Sequence, residues 1–174
     1  MRLVAILTIF ATTFSAFATN TDTTESKIQT TVDSAKTDTS KTHVVEINRV
    51  LNQAEKQLRT PYRWGGKQPG GFDCSGFVLY CYGSTLGIKL PASATEYPRY
   101  GKPITKANAR PGDVICFTGY NQNTTLIGHV GIITEVTPTQ IYFIHSALSG
   151  GIRYDMLSSA YYKARFLGIR RILN

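Results

Sequence analysis

In the stretch "HVVEINRVLNQAEKQLRT", Val44, Ile47, Val50, Leu51, Ala54 and Leu58 recur at three- and four-residue intervals. That is the spacing of a helix with one buried stripe. The helix should end before Pro61, whose ring and missing N–H are incompatible with its continuation. Gly65, Gly66, Gly70 and Gly71 then mark a loop, and "DCSGFVLYCYG" (73–83) reads as a second helix. Asp73 suits its N-cap and Gly83 its termination. Cys74, Phe77, Val78 and Cys81 fall on one face of that helix, which is expected to pack inward.

Beyond a polar, Pro-containing connection the period changes to that of strands. Short apolar runs occur at 113–119, 129–136, 140–147, 151–157 and 165–173, separated by turn residues such as Thr137-Pro138-Thr139 and Ser149-Gly150-Gly151. Helices first and strands afterwards predict an α+β domain. Its N-terminal helices should pack on one face of an antiparallel sheet of about five to six strands.

Two histidines lie in these strands. With an odd number of loop residues around Pro138 and a regular ladder, His129 stands opposite Ala147 and His145 opposite Gly131. The imidazoles are then diagonal neighbours on one face, about 7 Å apart before side-chain reach. An even loop sends them to opposite faces. The odd register also gathers Ile133, Ile141 and Phe143 on one face, as a core-facing surface requires, and we adopt it. If the inward face of the second helix packs on that same face, Cys74, His129 and His145 converge.

The N-terminal end follows neither pattern. "MRLVAILTIFATTFSAFA" has one basic residue, Arg2, then an apolar and hydroxyl run closing on Ala16-Phe17-Ala18, which fits a secretory leader cleaved after Ala18. Residues 19–42 are rich in Thr, Ser, Asp and Lys with too few apolar side chains to offset the entropy of ordering, and read as a flexible spacer. Residues 43–174 form the expected single domain. The product should be exported, periplasmic or secreted and wall-associated, without a membrane span once the leader is removed.

The formal charge of +8 favours polyanions. No basic block with interleaved aromatics or nucleic-acid motif accompanies it, so a nucleic-acid partner is not expected. Three cysteines cannot all pair with one another. On one helix, Cys74 and Cys81 would be roughly 10 Å apart along the axis, too far for a disulfide. Any internal bridge must use Cys116, so either a Cys81–Cys116 bridge leaves Cys74 free or all three are reduced. Cys74, His129 and His145 lack the close ligand spacing of a zinc site, and neither metal nor organic cofactor is expected.

Their pattern fits nucleophilic catalysis better. Such chemistry needs a thiolate, a base within hydrogen-bond reach and a third group that orients the base. A helix N-terminus favours negative charge and an adjacent imidazolium does so further, so both should lower the Cys74 pKa, with Asp73 opposing slightly.

Six blocks in order, "PYRWGG", "FDCSGFVLYCY", "RPGDVICF", "GHVGI", "FIHSA" and "RFLGIRRIL", covering residues 55–173, resemble the NlpC family of papain-like peptidoglycan endopeptidases. The resemblance implies a trimmed papain-like fold and cleavage of amide bonds in cell-wall stem peptides or cross-links, by a protein expected to act as a monomer. It makes Cys74 the nucleophile, His129 the general base and later acid, and His145 the residue that orients His129. Tyr62 resembles the family tyrosine beside the nucleophile, which helps bind the oxyanion. Asp73 and Ser75 match the family's Asp-Cys-Ser block and are expected to shape the site and touch substrate. Ala92 stands where many relatives carry Arg. The same triad would also serve an amidase at the sugar–peptide junction or an acyl transferase, and loss of Cys74 or His129 would have indicated a wall-binding module without catalysis.

Overall fold

The computed structural model describes residues 41–173. The expected leader, and all of the expected spacer except Lys41 and Thr42, lie outside the described residues. Those two residues already belong to the first helix, α1, which runs over 41–55. Val50 and Ala54 are its fully buried anchors. The helix stops before Leu58, which is 40% exposed. There the backbone N–H of Arg59 turns away to bond Ile152 O, and Ile152 N–H bonds Thr60 O, both at 2.9 Å. The end of α1 is thus stitched to the sheet rather than continued to Thr60.

The glycine-rich stretch is an ordered hairpin, β1 (Lys67–Gln68) and β2 (Gly71–Phe72), turning at Pro69-Gly70. Gly70 has a φ of +106°, which the turn requires and a residue with a Cβ adopts only with strain. Helix α2 (Cys74–Leu86) follows at once, capped by Asp73. It does not end at Gly83 as the sequence suggested. The terminating residue is Gly87, with a φ of +70° and its N–H on Gly83 O. Phe77, Val78 and Cys81 are fully buried along the expected face. Burial of each of the two larger side chains contributes on the order of 2 kcal/mol relative to exposure.

Strands β3 (Lys102–Ile104), β4 (Val114–Phe117), β5 (His129–Val136), β6 (Ile141–Ala147), β7 (Gly151–Met156) and β8 (Phe166–Arg171) form one antiparallel sheet ordered β3-β8-β4-β5-β6-β7. A short helix, α3 (Ala160–Arg165), joins β7 to β8. The helix-side core sets α1 and α2 against Val114, Cys116, Val130, Ile132, Ile144 and Ile152. A second apolar cluster on the other face holds Ile115, Phe117, Ile133, Ile141, Phe143, Leu157, Tyr162 and Ile169. Burial on both faces explains why β4 reads as an unbroken apolar run rather than an alternation.

The β5–β6 register reaches the expected result by a different route. The connection is four residues long, 137–140, an even number, with Thr137 N–H bonded to Gln140 O at 2.8 Å. A β-bulge between Ile133 and Glu135 inserts one extra residue in β5, and the two irregularities cancel. Ile133 pairs with Phe143 and Ile132 with Ile144, so both histidines stay on one face. That face is not the one α2 covers. The apolar stripe Val130, Ile132 and Ile144 draws α2 to the opposite side, and the histidines join Phe143, Phe117 and Tyr162.

Candidate active site

Asp73 organises the approach to Cys74. One carboxylate oxygen accepts from Gly76 N–H at 2.7 Å, capping α2, and the other accepts from Gly65 N–H at 3.0 Å. Its own N–H donates to Gly66 O at 3.0 Å. A Cβ on Gly76 would stand 2.0 Å from Gly66 O, so the loop and the first turn of α2 close on each other only because position 76 is glycine. The glycines flanking the Asp-Cys-Ser tripeptide thus bring the hairpin against the helix tip where Cys74 is the first helical residue.

Cys74, Tyr62, His129 and His145 border one cleft of about 700 Å³. Cys74 comes to it from the tip of α2, at the beginning of β5, rather than across the face of the sheet. Burial raises the Cys74 pKa and the Asp73 charge adds to that, while the N–H groups of Val130, Ser75 and Cys74 favour the thiolate. The expected lowering by the helix terminus is therefore outweighed. Burial, with help from neighbouring His145 and against Asp155, lowers His129 from 6.5 to about 3. Both shifts favour the neutral thiol and imidazole over the ion pair.

His129 Nε2 lies 2.9 Å from His145 Nδ1, with the rings at 88°. His145 is fully buried, and its Nε2 lies 2.9 Å from Asp155 Oδ2. Arg153 grips the same carboxylate through Nε at 2.7 Å and Nη2 at 2.8 Å. The Tyr162 hydroxyl donates to Asp155 Oδ2 at 3.2 Å and lies 3.2 Å from His145 Nε2. Asp155, Arg153 and Tyr162 escaped sequence reasoning. The available signal was that Asp155 is the one acidic residue after Glu135, in a strand that pairs directly with the His145 strand.

Tyr62 forms an isolated bridge with Phe72 and lines the cleft. Burial, then the charges that Cys74 and Asp73 carry once ionised, push its phenol up to about 12, so it remains a donor at neutral pH. Asp73 and Ser75 are not among the cleft-lining residues. The buried Ser75 hydroxyl donates to Ala92 O at 2.9 Å and lies 3.2 Å from Asp73 Oδ1, tying the start of α2 to the segment that carries Ala92. Cys81 and Cys116 are buried free thiols, both pushed up by burial, Cys116 to about 12. Exposed Trp64, Tyr120 and Leu148 stand at the cleft mouth. No helix among the described residues is long and apolar enough to cross a membrane.

Comparison with known proteins places this geometry in a lineage. The sequence model of the NlpC/P60 family matches residues 59–171. A gamma-DL-glutamyl hydrolase of Bacillus subtilis is 39% identical over 72% of this chain and 29% of its own length. A murein DD-endopeptidase of Escherichia coli is 32% identical over 84% of this chain and 54% of its own. The chain therefore spans between about a third and about a half of these two relatives. The crystal structure of an NlpC/P60 family protein from Bacillus cereus has a TM-score of 0.66 at 29% identity, covering 74% of this chain and 40% of that one. With the family pattern running from the end of α1 to the last strand, the chain belongs to the NlpC/P60 family.

Proposed function

We propose that this protein is an exported cysteine endopeptidase that hydrolyses amide bonds in peptidoglycan stem peptides or cross-links. The observation that carries the reading is the pairing, on one cleft, of a helix-tip thiol with a hydrogen-bonded imidazole pair. The activities by which two relatives are known, a gamma-DL-glutamyl hydrolase and a murein DD-endopeptidase, supply the substrate class. Bonds of the D-γ-glutamyl-diamino acid type or the D,D type are the candidates.

In this mechanism Cys74 sulfur attacks the amide carbonyl as its proton passes to His129. Because thiol and imidazole both rest neutral, transfer and attack are coupled. The carbonyl electron pair moves to oxygen, where the Cys74 N–H at the unpaired helix terminus and the Tyr62 hydroxyl are the donors. His129 then protonates the leaving amine. Water, deprotonated by His129, releases the acid from the thioester. No metal or cofactor enters these steps.

Mass spectrometry of purified muropeptides incubated with the protein tests the reading, with Cys74→Ala and His129→Ala beside it. New fragments absent from both variants are expected, and their mass names the bond. Cleavage at the lactyl amide would identify an amidase, and acyl transfer to an amine a transferase. Intact muropeptides with a still-alkylatable thiol would sink the hydrolase reading. Export belongs to the same proposal, and the intact mass of the envelope form should correspond to a chain beginning at Thr19.

A further inference from the structure

A neutral imidazole carries one N–H and one lone pair, so two hydrogen-bonded imidazoles can be polarised in either of two directions. Only one direction leaves His129 a bare nitrogen outside the pair. We infer that Asp155 is a positioning residue that selects this direction. Its carboxylate accepts from His145 Nε2–H, His145 Nδ1 accepts from His129 Nε2–H, and His129 Nδ1 is left unprotonated to take the Cys74 proton. The inference rests on the reading of Cys74 and His129 as nucleophile and base.

The sheet imposes this arrangement. Across the β6–β7 ladder, His145 pairs with Arg153 and Phe143 with Asp155, which puts the carboxylate diagonally beside the imidazole on the same face. An ionised carboxylate can only accept hydrogen bonds. Burial pushes the Asp155 pKa up, but hydrogen bonds from His145 and Arg153 outweigh it and hold the carboxyl far below its usual range. His145 is kept neutral by burial against the opposing pull of Asp155, and it is fully buried, so water does not compete for its nitrogens. The groups facing His145 are His129 from β5, Arg153 and Asp155 from β7, and Tyr162 from α3. None of the others supplies an ionised acceptor. Arg153 has no acceptor, and the Tyr162 hydroxyl donates to the carboxylate.

The chemistry follows with protons and electrons balanced. As the sulfur–carbon bond forms and the carbonyl pair moves to oxygen, the thiol proton moves to His129 Nδ1. The imidazolium so formed keeps its Nε2–H on His145 Nδ1, and the Asp155 anion stabilises the new charge through His145 without taking a proton. Asp155→Asn has one accepting oxygen where the carboxylate has two, so it cannot both accept from Arg153 Nη2 and keep an oxygen on His145 Nε2 and Arg153 Nε. When its N–H₂ faces His145, the pair reverses, and His129 presents an N–H where a lone pair is needed. The equivalent loss of tautomer control in serine proteases is large.

Long-range nitrogen-15 correlation spectra of the histidine-labelled full chain at pH 7 read the tautomers directly. Both His129 and His145 should be protonated on Nε2 and bare on Nδ1. Asp155→Asn should lower kcat roughly 100- to 10,000-fold, with KM changed less than about threefold. Alkylation of Cys74 by iodoacetamide should slow in parallel, a readout that needs no cell-wall substrate. Tyr162→Phe, which keeps the carboxylate–imidazole bond, should lose less than about tenfold. Protonation of His145 on Nδ1 in the native protein would overturn the inference, as would native kcat and alkylation rates in Asp155→Asn. The native tautomers decide the matter even if that variant fails to fold. Native tautomers and slowed alkylation as stated, with no muropeptide cut, would remove the proposed substrate while leaving the role of Asp155 in place.

Discussion

Gly131 lies against His145, so closely that a Cβ built on Gly131 would stand 3.0 Å from the His145 Cβ and 3.0 Å from Ile144 O. The backbone of Gly131 is not in the left-handed region. Its lack of a side chain therefore serves space, not conformation, and the space is occupied by the residue that holds His129.

Gly131→Ala is accordingly expected to displace His145 by a few tenths of an ångström and lengthen the 2.9 Å contact with His129. Since a misplacement of about 1 Å costs roughly 100-fold, this smaller one should cost up to about 10-fold in kcat, while overpacking costs about 1–3 kcal/mol of stability. Measuring kcat and the melting temperature side by side separates the two. A native kcat in a destabilised variant would show that His145 tolerates the crowding.

Acid should destabilise the fold before it protonates most carboxylates. Burial, with neighbouring His145, lowers His129 from 6.5 to about 3, so the unfolded chain binds a proton that the native site refuses. The resulting stability is complete above about pH 6.5 and is lost as pH falls through the window down to about 3. His145 is shifted in the same direction, and the lowered Asp155 also loses its contribution as pH falls. The melting temperature should drop between pH 7 and pH 5, and His129→Gln should flatten that drop. An unchanged slope in His129→Gln would show that His129 is not the group concerned.

Tyr62→Phe distinguishes a hydrogen-bonding role from packing, because it keeps the ring and removes only the hydroxyl. Since the phenol is pushed up to about 12 by burial and by the charges that Cys74 and Asp73 carry once ionised, it is a donor throughout the neutral range. Loss of an oxyanion donor costs roughly 100-fold or more in kcat with little change in KM. A native kcat in Tyr62→Phe would assign the residue to packing alone.

The legible parts of this protein are those written in periodicity. The buried stripe of α2 follows from apolar spacing, β4 to β8 follow from their apolar runs, and Asp73 as N-cap follows from its place ahead of Cys74. What escaped is short or non-local. The β1–β2 hairpin has two residues per strand, β3 has three, and α3 has six, too few for a period to register. The face that α2 covers was misjudged because β5 and β6 are apolar on both sides, with Val130 and Ile132 facing the helix and Ile133 and Phe143 facing away. Likewise the bulge at Thr134 is invisible to a two-residue alternation, although its effect on the histidines cancels that of the even loop. Burial opposes the expected lowering of the Cys74 pKa, and that burial depends on the hairpin folding against the helix tip, which no local pattern carries.

A buried carboxylate with no bond to either cleft histidine offers a test of the scaffold itself. Asp113, 2% exposed, leads into β4 and receives Arg171 Nε at 2.9 Å and Nη2 at 2.8 Å from the end of β8. The Arg110 N–H adds a third bond at 2.9 Å. Removing one partner of such a pair strands the other charge, which costs about 3–5 kcal/mol, whereas replacing both with apolar groups of similar volume is much cheaper. Asp113→Ala should therefore lower the urea midpoint substantially, and Asp113→Leu with Arg171→Met should recover part of the loss, a coupling of about 0.5–3 kcal/mol. Activity per folded molecule should remain native in both, because neither side chain borders the cleft. A loss below about 1 kcal/mol in Asp113→Ala would mean that water screens the pair as it does at a surface, and the join between β4 and β8 would then rest on its ladder hydrogen bonds and the Ile115–Ile169 pairing instead.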